Sequence, residues 1–252
     1  MTKRILITGA GSGIGQATAK ALAEEGYSLI MLGRNMAALG ETLKILKNPG
    51  SHQCFACDIR RPEKIREALV KSGAETLYAV IANAGVGGEN RYGNGNRWQE
   101  IIDTNLSGSY YTVQECLPYL KKLRDGYTRI VFISSILARL GIPGYSAYCS
   151  SKAGLLGLMR SLAAELAQDR ILVNAICPGW VDTDMARQGI QAFAEALSIT
   201  KEEAYKKAMA PVPMGKMSEP SEIASLAAFL LSGNQNSITG QTFDINNGAL
   251  MP

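Results

Sequence analysis

The chain has 252 residues, of which 46% are hydrophobic and 19% charged, with 26 Gly and 9 Pro. That length can bury roughly 70–75% of the unfolded surface, and the composition excludes disorder, collagen and coiled coil as whole-chain descriptions. Twenty-six Lys and Arg against 22 Asp and Glu leave a net charge of +4 with no basic stripe, so no nucleic-acid partner is expected.

No apolar run approaches the 18 or so residues of a membrane span, and the first residues lead into a strand-like run. Neither a signal peptide nor an anchor is expected, and the expected location is the cytoplasm. The 5 cysteines, Cys54, Cys57, Cys116, Cys149 and Cys177, are odd in number and dispersed, as suits reduced thiols.

Short apolar runs alternate with helix-period stretches from end to end, the pattern of a parallel sheet wrapped by helices. Strands are expected at Arg4–Thr8, Ser28–Leu32, His52–Cys57, Leu77–Ala82, Arg129–Ile133, Ile171–Ile176 and Thr242–Ile245. Helices are expected at about 14–25, 36–47, after Pro62, 98–123 with a bend at Pro118, 146–167 and from 219. This gives an α/β, Rossmann-type, doubly wound fold of seven parallel strands with helices on both faces. Residues 1–252 read as one doubly wound domain. Cys177–Ser218 is too long for an ordinary connection, so 184–217 reads as an embedded helical substrate-binding segment.

Between the first strand and helix lies Thr8-Gly9-Ala10-Gly11-Ser12-Gly13-Ile14-Gly15. Glycines permit a tight turn, while free N–H groups and the helix dipole favour a pyrophosphate. The spacing Gly9, Gly13, Gly15 is a wider variant of G-x-G-x-x-G, and Gly9, Ser12, Gly13, Ile14 and Gly15 are the expected cofactor contacts. About twenty residues on, an acidic group would meet a ribose 2′-hydroxyl; Leu32-Gly33-Arg34-Asn35 offers Arg34 instead, which favours NADP over NAD, although Ser12 adds no second positive charge.

Tyr148 and Lys152 are four apart at the start of a helix and share a face. A cation about 4 Å from a phenol, at an effective dielectric of about 20, is worth about 4 kcal/mol, enough to bring its pKa from about 10 towards 7. Ser134-Ser135 closes the fifth strand at the carboxyl edge, where doubly wound folds bind ligands.

Thr8–Gly15, Asn83-Ala84-Gly85, Asn105, Ser135 and Tyr148-x-x-x-Lys152, in that order, resemble the short-chain dehydrogenase/reductase family across essentially the whole chain, through Pro178-Gly179 and Ile238-Thr239-Gly240-Gln241. The resemblance implies Tyr148 as general acid/base, Lys152 as ribose ligand and modulator of the tyrosine, Ser135 as carbonyl polariser, and Asn105 as holder of a relay water. It places Asp58 and Ile59 beside the adenine, and Asn83, Ala84 and Gly85 along the cofactor cleft. Pro178, Gly179, Val181 and Thr183 would meet the nicotinamide carboxamide. Ala82 and Asn246-Asn247-Gly248 depart from the commonest pattern, which has a second asparagine and Asp-Gly-Gly there.

Cys54-x-x-Cys57 is not expected to bind metal, because positions three apart on a strand face opposite ways and no second Cys/His pair exists. His52, the 1 histidine, sits at the wrong edge for a hydrolase and is expected at the surface. Small and apolar residues on several faces of the 146–167 helix suggest either deep burial or packing against a second copy across a two-fold axis, which the family resemblance implies as a dimer or a tetramer.

The leading reading is an NADP-dependent oxidoreductase interconverting a ketone and a secondary alcohol, closest in pattern to 3-oxoacyl thioester reductases acting on acyl carrier protein or coenzyme A substrates. The alternatives are an NAD-dependent alicyclic, sugar or steroid alcohol dehydrogenase and a non-catalytic cofactor-binding sensor. Met185, Ile190, Phe193, Leu197, Met209, Met214 and Met217 suggest an adaptable apolar pocket. Lys121, Lys122 and Arg124 are candidates for docking an acidic carrier, or for complementing a helix end.

Overall fold

The computed structural model describes residues 3–90, 93, 95–121 and 126–251. Seven strands, β1 (Arg4–Thr8), β2 (Ser28–Gly33), β3 (Gln53–Ala56), β4 (Ala79–Ala82), β5 (Thr128–Ile133), β6 (Ile171–Pro178) and β7 (Thr242–Ile245), form one sheet in the order β3-β2-β1-β4-β5-β6-β7. Every pairing is parallel. β1, β4, β5 and β6 are buried on both faces, which explains their unbroken apolar runs.

Alternation along the strands divides the core in two. Ile5 and Ile7 of β1 point into a cluster with Ala19 and Leu22 of α1 (Gly13–Glu24), Leu39 of α2 (Met36–Lys44) and Ile223 of α9 (Pro220–Leu231). Leu6 faces the other way, into a cluster with Ile65 of α3 (Pro62–Lys71), Val113 and Cys116 of α5 (Gly108–Leu120), and Leu155 and Met159 of α6 (Ser146–Leu166). Cys54 and Cys57 fall in opposite clusters, as expected for positions three apart, and no group able to hold a metal occurs among the described residues.

The stretch from residue 98 to 120 is interrupted, but not where expected. α4 (Trp98–Ile102) passes into a π turn, Asp103–Ser107, before α5, and α5 continues through Pro118 to Leu120. Pro118 has no N–H to give the Gln114 carbonyl, so the helix loses one bond there and ends two residues later. His52 is also corrected: it is buried, its Nδ1 accepting from the Leu29 N–H at 3.2 Å and its Nε2 lying 2.8 Å from the Lys47 carbonyl. It therefore ties β3 to β2 rather than decorating the surface.

Residues 184–217 hold α7 (Asp184–Leu197) and α8 (Lys201–Met209) over a small cluster of their own, which includes Ile190, Met209 and Met217. Those three are spent on holding the segment together, leaving Met185, Phe193, Leu197 and Met214 exposed. Of the seven apolar positions read as a pocket, three are therefore buried within the segment and four are exposed on it. No described helix is long and apolar enough to cross a membrane.

Candidate active site

β2 and β4 flank β1 on opposite sides, so the chain reverses direction of growth there and opens a crevice at the carboxyl edge. The β1–α1 loop fills its floor. Gly9 adopts φ 68°, and a Cβ on it would stand 2.9 Å from both Ala84 Cα and Asn83 Nδ2. A Cβ on Gly15 would stand 2.2 Å from the Gly9 carbonyl oxygen. Both positions are closed to any larger residue.

Asn83 secures this packing by donating to the carbonyls of Thr8 and Gly9 at 2.9 and 3.2 Å, while the Thr8 hydroxyl accepts from the Asn83 and Ala84 N–H groups, each at 3.0 Å. Ser12 caps α1 in extended backbone with no side-chain bond, and the first helical bond runs from Gln16 N–H to Ser12 O. The N–H groups of Gly13, Ile14 and Gly15 therefore point out of the helix start, a cradle suited to a pyrophosphate.

Arg34 is exposed immediately beyond β2, close enough to Asp58 for its charge to help hold that carboxyl below the usual range. The larger cause is Arg60, whose Nε and Nη2 grip the Asp58 carboxylate at 2.9, 3.0 and 2.5 Å. Arg60 was missed in the sequence, where only its position two residues after Asp58 could have flagged it. Arg34 and Arg60 also both act on Glu100, so two guanidinium groups share this end of the crevice.

The opposite end gathers Ser135, Tyr148, Lys152 and Asn105. Ser135 lies two residues beyond β5 and accepts from the Leu137 N–H at 3.1 Å, and its hydroxyl is close enough to that of Tyr148 to favour the phenolate. Lys152, one helical turn on, is 5% exposed, and its Nζ donates to the Ile133 carbonyl at 2.9 Å while lying 5.6 Å from the Tyr148 ring centroid. A Cβ on Gly85 would approach this Nζ within 3.5 Å, so the glycine leaves room for it.

The electrostatic expectation for this pair is not met. Burial pushes the Tyr148 phenol up to about 12, with only partial relief from the Ser135 hydroxyl, and burial lowers Lys152 to about 8. Desolvation outweighs the attraction that spacing alone implies.

Asn105 lies fully buried in the π turn, its Oδ1 accepting from the Val86 N–H at 2.8 Å and its Nδ2 donating to the Val86 carbonyl at 3.0 Å and Ser151 Oγ at 3.1 Å. Ser151 Oγ in turn donates to the Tyr148 carbonyl at 2.8 Å, so Asn105 ties the loop after β4 to the base of α6.

Across the crevice, Pro178 closes β6, and Gly179 packs so tightly on the chain end that a Cβ would stand 2.9 Å from Asn246 Cβ. Val181 bridges to Ser218, and the Thr183 hydroxyl caps α7 by accepting from Ala186 N–H at 3.3 Å. A Cβ on Gly13 would come within 3.0 Å of Thr183 Cγ2, so the two walls nearly touch. Ile59 is buried, against Gly108 at the start of α5. Of the basic docking candidates, Lys121 is ion-paired with Asp169 at 2.7 Å; Lys122 and Arg124 lie outside the described residues.

A doubly wound sheet, a glycine cradle at a helix start and a Ser–Tyr–Lys cluster at the same edge define a dinucleotide-dependent oxidoreductase. Residues 9–249 match the family model described as enoyl-(acyl carrier protein) reductase, and the chain belongs to the short-chain dehydrogenase/reductase family. It is 34% identical over 254 residues to the 3-oxoacyl-(acyl-carrier-protein) reductase of Rickettsia prowazekii, covering 99% of this chain and 97% of that one. The enzyme of the same name from Staphylococcus aureus is 32% identical over 257 residues, covering 100% and 99%. Among solved structures, a variant of the actinorhodin polyketide ketoreductase with NADPH superposes with a TM-score of 0.92 at 31% identity, covering 98% of this chain and 97% of that one.

Proposed function

We propose that the chain reduces a ketone to a secondary alcohol with NADPH, and that its substrates are 3-oxoacyl thioesters or related polyketide-like ketones. The observation that carries this reading is the grouping of the Tyr148 and Ser135 hydroxyls beside Lys152, at the edge shared with the phosphate cradle. Two hydroxyl groups converging on one point bind a carbonyl oxygen, polarise it and deliver a proton to it. The nicotinamide cofactor supplies the hydride. Gly9, Ser12, Gly13, Ile14 and Gly15 hold its pyrophosphate; Arg34, with Arg60 close by, meets the 2′-phosphate, and Asp58 and Ile59 flank the adenine.

Lys152 anchors the nicotinamide ribose and stabilises the phenolate once Tyr148 has given up its proton, and the π turn around Asn105 leads the replacement proton in. Asn83, Ala84 and Gly85 line the crevice beside it. Pro178, Gly179, Val181 and Thr183 fix the carboxamide and so the ring face presented. Residues 184–217 close over the substrate, with Met185 packed beside Gly87 at the mouth. Support for the substrate class comes from the names of the curated relatives and of the polyketide enzyme.

A second copy of the chain covers the outer faces of α5 and α6. Ala153, Gly157 and Ala164 leave a flat exposed face on α6, and Tyr110 is exposed beside them on α5.

Tyr148→Phe removes the transferable proton alone. NADPH binding should persist while turnover across a panel of ketones that includes 3-oxoacyl thioesters falls about 10²–10⁴-fold or more. NADPH consumption near the unmodified rate would refute the assignment.

A further inference from the structure

The chain end carries Asn246-Asn247-Gly248, and Asn247 stands in left-handed backbone, φ 55°, a conformation that favours glycine. Its side chain is tied down there. Nδ2 donates to the Lys216 carbonyl at 2.9 Å and to Ser218 Oγ at 3.2 Å, and the Asn247 carbonyl accepts from Met214 N–H at 3.2 Å. Asn246 folds the last residues back on themselves, its Nδ2 donating to the Leu250 carbonyl at 3.0 Å and its Oδ1 accepting from Gly248 N–H at 3.0 Å.

What Asn247 grips is connected directly to the crevice. Ser218 is 1% exposed, donates its N–H to the Trp180 carbonyl at 2.9 Å, accepts at its own carbonyl from Asp182 N–H at 2.9 Å, and forms a parallel bridge with Val181. On the other side, Gly179 N–H donates to the Ile245 carbonyl at 3.0 Å, and Gly179 packs against Asn246. The turn 179–183 is thus held between the strand leading into the chain end and the segment that the chain end grips.

We propose that Asn247 is a positioning residue: acting through Ser218, it sets the backbone of the 180–183 turn and hence how firmly the nicotinamide end of the cofactor is held at the root of α7. This rests on the NADPH-dependent reading of the crevice. It also explains why an asparagine occupies a left-handed position, since glycine would fit the backbone but make neither side-chain bond.

Asn247→Gly is the discriminating variant because it keeps the backbone conformation and removes only those two bonds; Asn247→Asp, which puts an acceptor against the Lys216 carbonyl, is the second. Amide hydrogen exchange on the full cofactor-free chain should show residues 180–183 and 216–218 exchanging about tenfold faster in both variants, with β1, β4 and β5 unaltered. The KM for NADPH should rise about tenfold, the Kd from NADPH fluorescence should follow it, and the pH profile of kcat should stay in place because Tyr148 and Lys152 are untouched. Exchange within twofold of the unmodified chain overturns the proposal, as does faster exchange with an unchanged Kd. If the unmodified chain reduces no ketone, the proposed function fails, while exchange and the fluorescence Kd still decide the role of Asn247.

Discussion

Lys152→Met should stabilise the cofactor-free protein, and the gain should disappear at alkaline pH. Lys152 is 5% exposed, its Nζ donates to the Ile133 carbonyl at 2.9 Å, and burial lowers its pKa from 10.5 to about 8. A folded-state pKa below the unfolded one means that the unfolded chain binds the proton more tightly. The cost of burying the charge is therefore fully present below about pH 8 and relieved as pH rises towards 10.5. At pH 7 it amounts to about 3 kcal/mol.

Methionine fills a similar volume without the charge but forfeits a hydrogen bond from a charged donor, worth about 2 kcal/mol at pH 7, so the net gain is about 1 kcal/mol. For a chain of this size that raises Tm by roughly 2–4 °C. By pH 10 the residual cost of the charge is about 1 kcal/mol, and the variant and the unmodified protein should melt together. Differential scanning calorimetry of both proteins at pH 7 and pH 10 measures the difference directly, and groups common to both cancel. Destabilisation at pH 7, or a gain that does not shrink by pH 10, would refute the reasoning that this lysine is held at the site against its own solvation.

Arg34→Asp should shift preference from NADPH towards NADH, because a carboxylate repels a 2′-phosphate and accepts from a free 2′-hydroxyl. The check is kcat/KM for both cofactors in both proteins, and an unmodified enzyme that already prefers NADH sinks the reading of Arg34. Gly157→Ala adds a Cβ that meets nothing within 4 Å inside the chain. Helix propensity alone would favour it by up to about 1 kcal/mol, so a weakened dimer in sedimentation equilibrium marks α6 as an interface, whereas an unchanged association state with raised Tm marks that face as solvent-exposed.

The sheet was legible because burial on both faces writes itself into unbroken apolar runs: β1 and β7 fall on the expected residues, and the other strands differ by one or two positions at their ends. Gly9, Gly15, Ser135, Tyr148 and Lys152 were legible because each belongs to a spacing with a chemical reason. The π turn at Asp103–Ser107 was not, since one widened turn leaves the helical period nearly intact. His52 and Arg60 escaped because their partners, Leu29 and Lys47 in one case and Asp58 in the other, depend on which strands neighbour one another and on rotamers. The raised Tyr148 and lowered Lys152 could not be read from spacing, because desolvation depends on everything packed around the pair.

The direction of those two shifts bears on which half of the reaction the site is prepared for. A phenol held up at about 12 stays protonated at neutral pH, and a lysine at about 8 remains mostly charged, so both groups hold their protons. Reduction of a ketone consumes a proton at the nascent alkoxide, and on the proposed reading Tyr148 begins as the acid that the step requires. Oxidation of an alcohol would need the phenolate first, at a cost set by burial. The charge on Lys152 offsets that cost only when it comes to face the phenol rather than the Ile133 carbonyl to which it now donates.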